Sequence, residues 1–279
     1  MYGEFAPLWT LISKPEDYAN EARCWRDILR QKLGPGKHPI LELGVGGGNN
    51  LSHFAIEFQA TAVDISAPML ANSMRLNPGV EHLIGDMRTI RLGRTFKAVL
   101  VHDAINYILT ETDLRAAIAT ARAHLEPGGV FIAAPDWFKE TFPGTHVGHH
   151  VRHGTSPEFT FIEYVADPDP NDTTMEWVYF YLFREGGPRE GNSFVPTGRD
   201  LKEDKASLKA KSHSHRVRVE EDHHIVGIFP RKTWADLLSE AGFSMETVPY
   251  VDKDTSQTVS LVVGVLSEAL PVNNVAFLP

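Results

Sequence analysis

Cysteine is almost absent. Cys24 is the single one in 279 residues, so no internal disulfide can form and nothing requires an oxidising compartment. Long apolar runs are missing too: no stretch approaches the roughly 20 residues that a membrane-spanning helix needs. The opening MYGEFAPLWTLISKPEDY has neither the basic start nor the unbroken apolar core of a secretory leader. Basic residues are outnumbered, 27 Lys and Arg against 36 Asp and Glu, and a formal charge of -9 disfavours general attraction to phosphate backbones. The expectation is a cytoplasmic protein that binds neither nucleic acid nor membrane, with a homodimer left open.

What is present is enough apolar material, 42% of residues, to bury a full core. Ser13 with Glu16 has the spacing of a capping box ahead of a helix in EDYANEARCWRDILRQKL, which GPGKHP stops. From there strand-like and helix-like segments alternate. PILELGV (39–45), ATAVDIS (60–66), VEHLIGD (80–86), FKAVLVHD (96–103) and GGVFIAAPD (128–136) read as strands. The segment after Gly48, PMLANSMRL and TDLRAAIATARAHL (112–125) read as helices. Such alternation predicts an α/β fold, a Rossmann-like doubly wound and mostly parallel sheet. After Trp137 the rhythm changes to antiparallel strands in FTFIEYVAD, MEWVYFYLFRE and SHRVRVEEDHHIVGIF, with a polar loop at 186–212. It then returns in the helix PRKTWADLLSEAGF (230–243) and two closing strands. The expected divisions are a helical cap and cofactor-binding half (1–137), an inserted antiparallel β layer walling the substrate (138–228), and a helix and strands completing the sheet (229–279).

ILELGVGGGNN (40–50) carries the most specific signal. A strand, a glycine turn and a helix bring backbone and a helix N-terminus up to a ligand, as both dinucleotide and S-adenosylmethionine sites do. The dinucleotide pattern G-x-G-x-x-G, started at Gly44, fails where Asn49 replaces the third glycine. The chain instead reads Glu42-Leu43-Gly44-x-Gly46-x-Gly48. A carboxylate in that place attracts an ammonium and repels a pyrophosphate. Asp64 ends the second strand, where an acid can accept bonds from ribose hydroxyls, and Asp86 ends the third.

With LEPGGVF (125–131) before the fifth strand, these landmarks resemble the class I S-adenosylmethionine-dependent methyltransferases. DYANEAR (17–23), the β insertion and EEDHHIVGIFPRKTWADLLSEAGF further resemble the small-molecule N-methyltransferases that act on amino sugars. The resemblance implies a seven-stranded sheet and S-adenosyl-L-methionine as cofactor, with S-adenosyl-L-homocysteine as product. It implies cofactor contacts from Tyr18, Glu42, Leu43, Gly44, Gly46, Asp64, Ile65, Met69, Asp86, Met87 and His102. The acceptor is then a small molecule carrying an amine, with a hydroxyl as the alternative.

His102 and Asp103 fall at the carboxyl end of the fourth strand, where such folds meet ligands, and His224 can relay a proton near neutral pH. These three are the candidate catalytic residues. Tyr2, Tyr107, Asp136, Trp137 and Trp177 are the candidate substrate contacts; Trp177, Tyr179 and Tyr181 alternate on one strand face, a spacing shared by cavity linings and plain core. No metal is expected. Asp103 with Asp136 resembles the carboxylates of metal-dependent catechol-type O-methyltransferases, but Trp137, which cannot coordinate, stands where that resemblance implies a third ligand. The histidines His146, His149, His150 and His153 of GTHVGHHVRHG are interrupted by glycines and read as a loop. A nicotinamide-dependent oxidoreductase and a non-catalytic cofactor-binding protein remain as readings from other classes.

Overall fold

Apolar runs rich in Val, Ile and Leu need cover on both faces, and in this computed structural model most of them obtain it in one sheet. The structure describes residues 9–152, 158–185, 216–251 and 258–268. Its strands are β1 (Pro39–Leu43), β2 (Gln59–Asp64), β3 (Glu81–Ile84), β4 (Phe96–Val101), β5 (Leu125–Ala133), β6 (His146–Arg152), β7 (Glu158–Ala166), β8 (Thr174–Glu185), β9 (Arg216–Gly227), β10 (Phe243–Val251) and β11 (Thr258–Leu266). Its α-helices are α1 (Trp9–Ile12), α2 (Ala19–Leu33), α3 (Asn49–Ser52), α4 (Ala67–Leu76), α5 (Glu111–Ala123) and α6 (Arg231–Glu240).

The seven-stranded sheet runs β10-β11-β5-β4-β1-β2-β3, and β6 to β9 form a separate four-stranded antiparallel sheet. Strands β1 to β5 pair in parallel, while β11 lies antiparallel to β5 and to β10. The chain lays β1, β2 and β3 toward one edge, then returns to place β4 on the other side of β1. That reversal opens a crevice beyond the carboxyl ends of β1 and β4, the ligand-binding position of open α/β sheets. Alternation along β1 divides the core. Ile40 joins Trp25 and Leu29 of α2 beneath one face, and Leu41 joins Leu114 of α5 and Trp234 of α6 on the other. Each such burial is worth about 1.5–3 kcal/mol, so apolar packing holds the layers.

The insertion is pinned over the crevice by its ends. Gly227 lies so close to the turn after β4 that a Cβ there would sit 1.8 Å from the Ile108 carbonyl oxygen. Beside it the Thr173 hydroxyl donates to the Leu109 carbonyl at 2.7 Å.

Several local expectations are corrected. Only one α-helical turn, α3, follows Gly48, because Phe54 and Phe58 swing into the core and meet edge to face at 6.2 Å. GTHVGHHVRHG is not a loop from His146 to Arg152: that segment pairs along β7, and Gly148 is tolerated with only Glu163 near its missing Cβ. Ser13 caps no helix. Its hydroxyl bonds Tyr18 and Asn49, while the Lys14 N–H donates to the Asp17 carboxylate at 3.0 Å where the chain begins to coil. β5 starts at Leu125, three residues earlier than expected, with its register shifted where Gly128 takes a left-handed φ of +77°. The polar loop expected at 186–212 lies outside the described residues.

Candidate active site

Gly44, Gly46 and Gly48 take φ values of +75°, +54° and +76°, a region costly for residues with a Cβ. The protein's own atoms also exclude side chains here. A Cβ on Gly44 would lie 2.2 Å from the Ala104 methyl, and one on Gly47 2.2 Å from Trp9 Nε1. The loop's amides are largely engaged as well. Gly44 and Val45 donate to the Val63 carbonyl at 2.7 and 3.0 Å, Gly48 donates to Val45, and Gly46 donates to Asp64 Oδ2 at 2.7 Å. Asp64 therefore shapes the turn that it faces, and its Oδ1 accepts the Ser66 N–H at 2.8 Å. Burial raises its pKa, although the amides of Ser66, Gly46 and Ile65 oppose the rise.

A cleft of about 310 Å³ opens above this loop. Tyr18, Glu42, Gly44, Gly46, Asp64, Ile65, Asp86, Met87, His102, Asp103 and Tyr107 all line it. The sequence reading misses Trp9, Asn49, Asn50, Ser66 and Arg88, which line it too. Trp9 gives no signal, because only the folded α1 lays it on Gly47. The asparagines are signalled only by directly following the glycines. Asp86 is held by Arg88, whose Nη2 lies 2.6 Å from Oδ2, and this hydrogen bond keeps the carboxyl below the usual carboxylate range. Two residues expected as cofactor contacts lie outside the lining of the cleft. Leu43 is wholly buried in the core, and Met69 is wholly buried beneath Gly46, its methyl 3.6 Å from where a Cβ would stand. Neither side chain lines the cleft.

Behind the loop lies a buried charge cluster that the sequence reading only half identifies. His102, between the rings of Tyr18 and Trp25, has Nε2 2.9 Å from Glu21 Oε2 and Nδ1 3.3 Å from Asp103 Oδ1. Burial pulls its pKa down, but Asp103, Glu21 and Glu42 outweigh burial and raise it to about 10. His102 is thus a held cation. So charged, the ring holds the neighbouring carboxylates and does not accept a proton near neutrality. Glu21 needed the fold to be found, since α2 must first dock against β4. Glu42 is 2% exposed, its Oε2 has no hydrogen-bond partner among the described residues, and burial lifts its pKa to about 8. An oxygen left so is complete only when a donor enters the cleft, and an ammonium is such a donor.

Beyond Tyr107 the insertion forms a second wall. The Tyr107 hydroxyl lies 3.0 Å from His224 Nδ1, and His224 Nε2 lies 3.0 Å from Asp222 Oδ2. Burial lowers the pKa of His224 and Asp222 opposes it, so the ring is neutral and its Nδ1 can accept the Tyr107 O–H. Trp137 meets Trp177 edge to face at 5.9 Å and His146 at 5.5 Å. Tyr179 and Tyr181, by contrast, are core packed on Phe161. Asp136 accepts from the Asn106 amide. Burial, then Asp103 and Glu163, push the Asp136 pKa well above the usual carboxylate value. Burial likewise raises Asp103 to about 6, with His102 opposing. His146 points inward and His149 is exposed on the opposite face of β6, so strand alternation separates them. Among the described residues no group of three or more His, Cys, Asp or Glu is arranged to hold a metal. Tyr2 and His153 lie outside the described residues.

A methyltransferase-domain family model matches residues 40–129. The chain is similar to the dTDP-3-amino-3,4,6-trideoxy-alpha-D-glucopyranose N,N-dimethyltransferase of Streptomyces venezuelae, 35% identical over 174 residues that cover 56% of this chain and 73% of that protein. It is similar to the dTDP-3-amino-3,6-dideoxy-alpha-D-glucopyranose N,N-dimethyltransferase of Streptomyces fradiae, 33% identical over 193 residues, 62% of this chain and 75% of that one. Among solved structures, Streptomyces venezuelae DesVI superposes with a TM-score of 0.71 at 25% identity, covering 90% of this chain and 92% of that one. S-adenosylmethionine-bound CalS10, an amino pentose methyltransferase from Micromonospora echinaspora, gives 0.69 at 25% identity and the same coverage. Among the described residues no helix is long and apolar enough to cross a membrane.

Proposed function

The chain belongs to the S-adenosylmethionine-dependent methyltransferases, and from that premise we propose that it methylates the amine of a small amino sugar. One observation carries the choice of an amine. The acceptor side carries the partly buried carboxyl groups of Asp136 and Glu163 beside the more open Asp103, close enough for Asp136 to feel both others. That environment draws in a protonated amine and gives a hydroxyl no comparable attraction. The curated relatives, named as amino-sugar N,N-dimethyltransferases, support the same reading.

The bound cofactor supplies an electrophilic methyl group on a sulfonium, so the protein's tasks are positioning, exclusion of water and removal of one proton. Glu42 would hold the amino-acid end of the cofactor and Asp64 its ribose, while Asp86 and Met87 would flank its base. Trp137 and Trp177 wall the acceptor. An attacking amine must be unprotonated, and Asp103, raised to about 6, is suited to take its proton. Neutral His224, steadied by Asp222, accepts the Tyr107 O–H and so turns the Tyr107 oxygen toward an amine N–H.

His224→Ala is expected to lower kcat about a hundredfold, at the low end for a general acid–base group, and to leave S-adenosylhomocysteine affinity within about twofold. Steady-state rates and calorimetric titration check both halves, and normal turnover removes His224 from the reaction. The acceptor is tested by mass spectrometry of products from nucleotide-linked amino sugars and their hydroxyl analogues. Methylation confined to the amines supports the proposal; equal kcat/KM for a hydroxyl analogue overturns it.

A further inference from the structure

Asn50, on the single turn of α3, presents an unusual buried side chain. It is 4% exposed, it lines the cofactor cleft, and neither its Nδ2 nor its Oδ1 has a hydrogen-bond partner among the described residues. Neighbouring buried amides are satisfied. Asn49 Nδ2 donates to Ser13 Oγ at 2.9 Å and Asn77 Nδ2 donates to the Gly48 carbonyl at 3.0 Å. Buried polar atoms in native proteins are overwhelmingly paired, so an amide with both ends open beside a cleft marks a ligand contact.

The chemistry of that ligand follows from what else the cleft offers. A carboxylate needs donors, but the N–H groups of Gly44, Val45, Gly46 and Gly48 are already bonded within the protein. The nearby cation, His102, is engaged by Glu21 and Asp103. The Asn50 amide nitrogen is a buried donor still open, while Glu42 Oε2 is an acceptor still open in the same cleft. A ligand end bearing both a carboxylate and an ammonium satisfies both.

We propose that Asn50 binds the α-carboxylate of the methyl donor's amino-acid end, opposite Glu42 on its ammonium. The proposal deepens the functional reading above and rests on its cofactor assignment. Asn50 thereby selects the whole cofactor over nucleosides that lack an amino acid, since a hydrogen bond to a charged group contributes more than one between neutral groups.

The test compares S-adenosylhomocysteine with 5′-methylthioadenosine, which keeps the nucleoside and sulfur and lacks the amino acid. In calorimetric titration, Asn50→Leu, of similar size and without polar atoms, is expected to weaken S-adenosylhomocysteine about ten- to a hundredfold. Its affinity for methylthioadenosine should stay within about twofold. Asn50→Asp, which replaces the donor by a like charge, should show the same selective loss and covers the case in which the leucine variant does not fold. Equal losses for both nucleosides, or unchanged S-adenosylhomocysteine binding in either variant, overturn the role of Asn50 and leave the cofactor assignment standing. Failure of the unsubstituted protein to bind S-adenosylhomocysteine overturns both.

Discussion

His102→Gln is expected to lower the thermal unfolding midpoint by roughly 10 °C near pH 7, a loss of about 3–5 kcal/mol. The imidazolium is enclosed by Glu21, Asp103 and Glu42, with its own side chain 9% and that of Glu21 15% exposed. Glutamine keeps two polar atoms and removes the charge, leaving carboxylates buried without their counter-ion. Breaking one side of a buried pair in this way is far costlier than the pair's net contribution to stability. The pH dependence has a definite sign. With a folded pKa of about 10 against 6.5 unfolded, the native state keeps a proton that the unfolded chain gives up between those values. The stabilisation is therefore complete below pH 6.5 and lost by about pH 10. Glu42, raised from 4.5 to about 8, works in the same direction, losing stability as pH rises toward 8. Above that point His102 still contributes to the slope, a share that its replacement removes. Denaturant midpoints between pH 8 and pH 10 should fall more steeply in the parent than in His102→Gln; parallel slopes would show that His102 is not a held cation.

Asp64→Ala should reduce S-adenosylhomocysteine affinity on the order of a thousandfold. Two bonds from ribose hydroxyls to a carboxylate amount to about 3–6 kcal/mol by the usual range for charge-assisted bonds. The loss has a second source in the fold itself, because Asp64 accepts the Gly46 and Ser66 amides that set the glycine turn. Asp64→Asn separates the two. It can still accept the Gly46 amide through its remaining oxygen, so it should retain more affinity than the alanine variant while losing the charge. An unchanged dissociation constant in Asp64→Ala would contradict the placement of the ribose.

The parallel strands and the cleft were legible because their signals are local. Apolar runs of strand length end at Glu42, Asp64 and Asp86, and Gly44, Gly46, Gly47 and Gly48 follow the first of them at once. What lay hidden depends on elements distant in sequence. Glu21 and Trp25 meet His102 only once α2 is laid across β4, and Asp222 reads as a surface acid in sequence until β9 carries it beside His224. β6 escaped notice because two glycines and a run of histidines obscure an alternation that pairing with β7 enforces. Leu43 and Met69 stay out of the cleft lining for a related reason. Sequence gives proximity to the loop, while strand and helix orientation decide which side chains face the ligand, and these two face the core.

The most direct measurement is a crystal structure with S-adenosylhomocysteine bound. The ribose hydroxyls are expected on Asp64 and the amino-acid end at Glu42, with the sulfur facing Tyr107 and the Trp137–Trp177 wall. Product bound elsewhere, or lying in the cleft with its ribose turned away from Asp64, would contradict it.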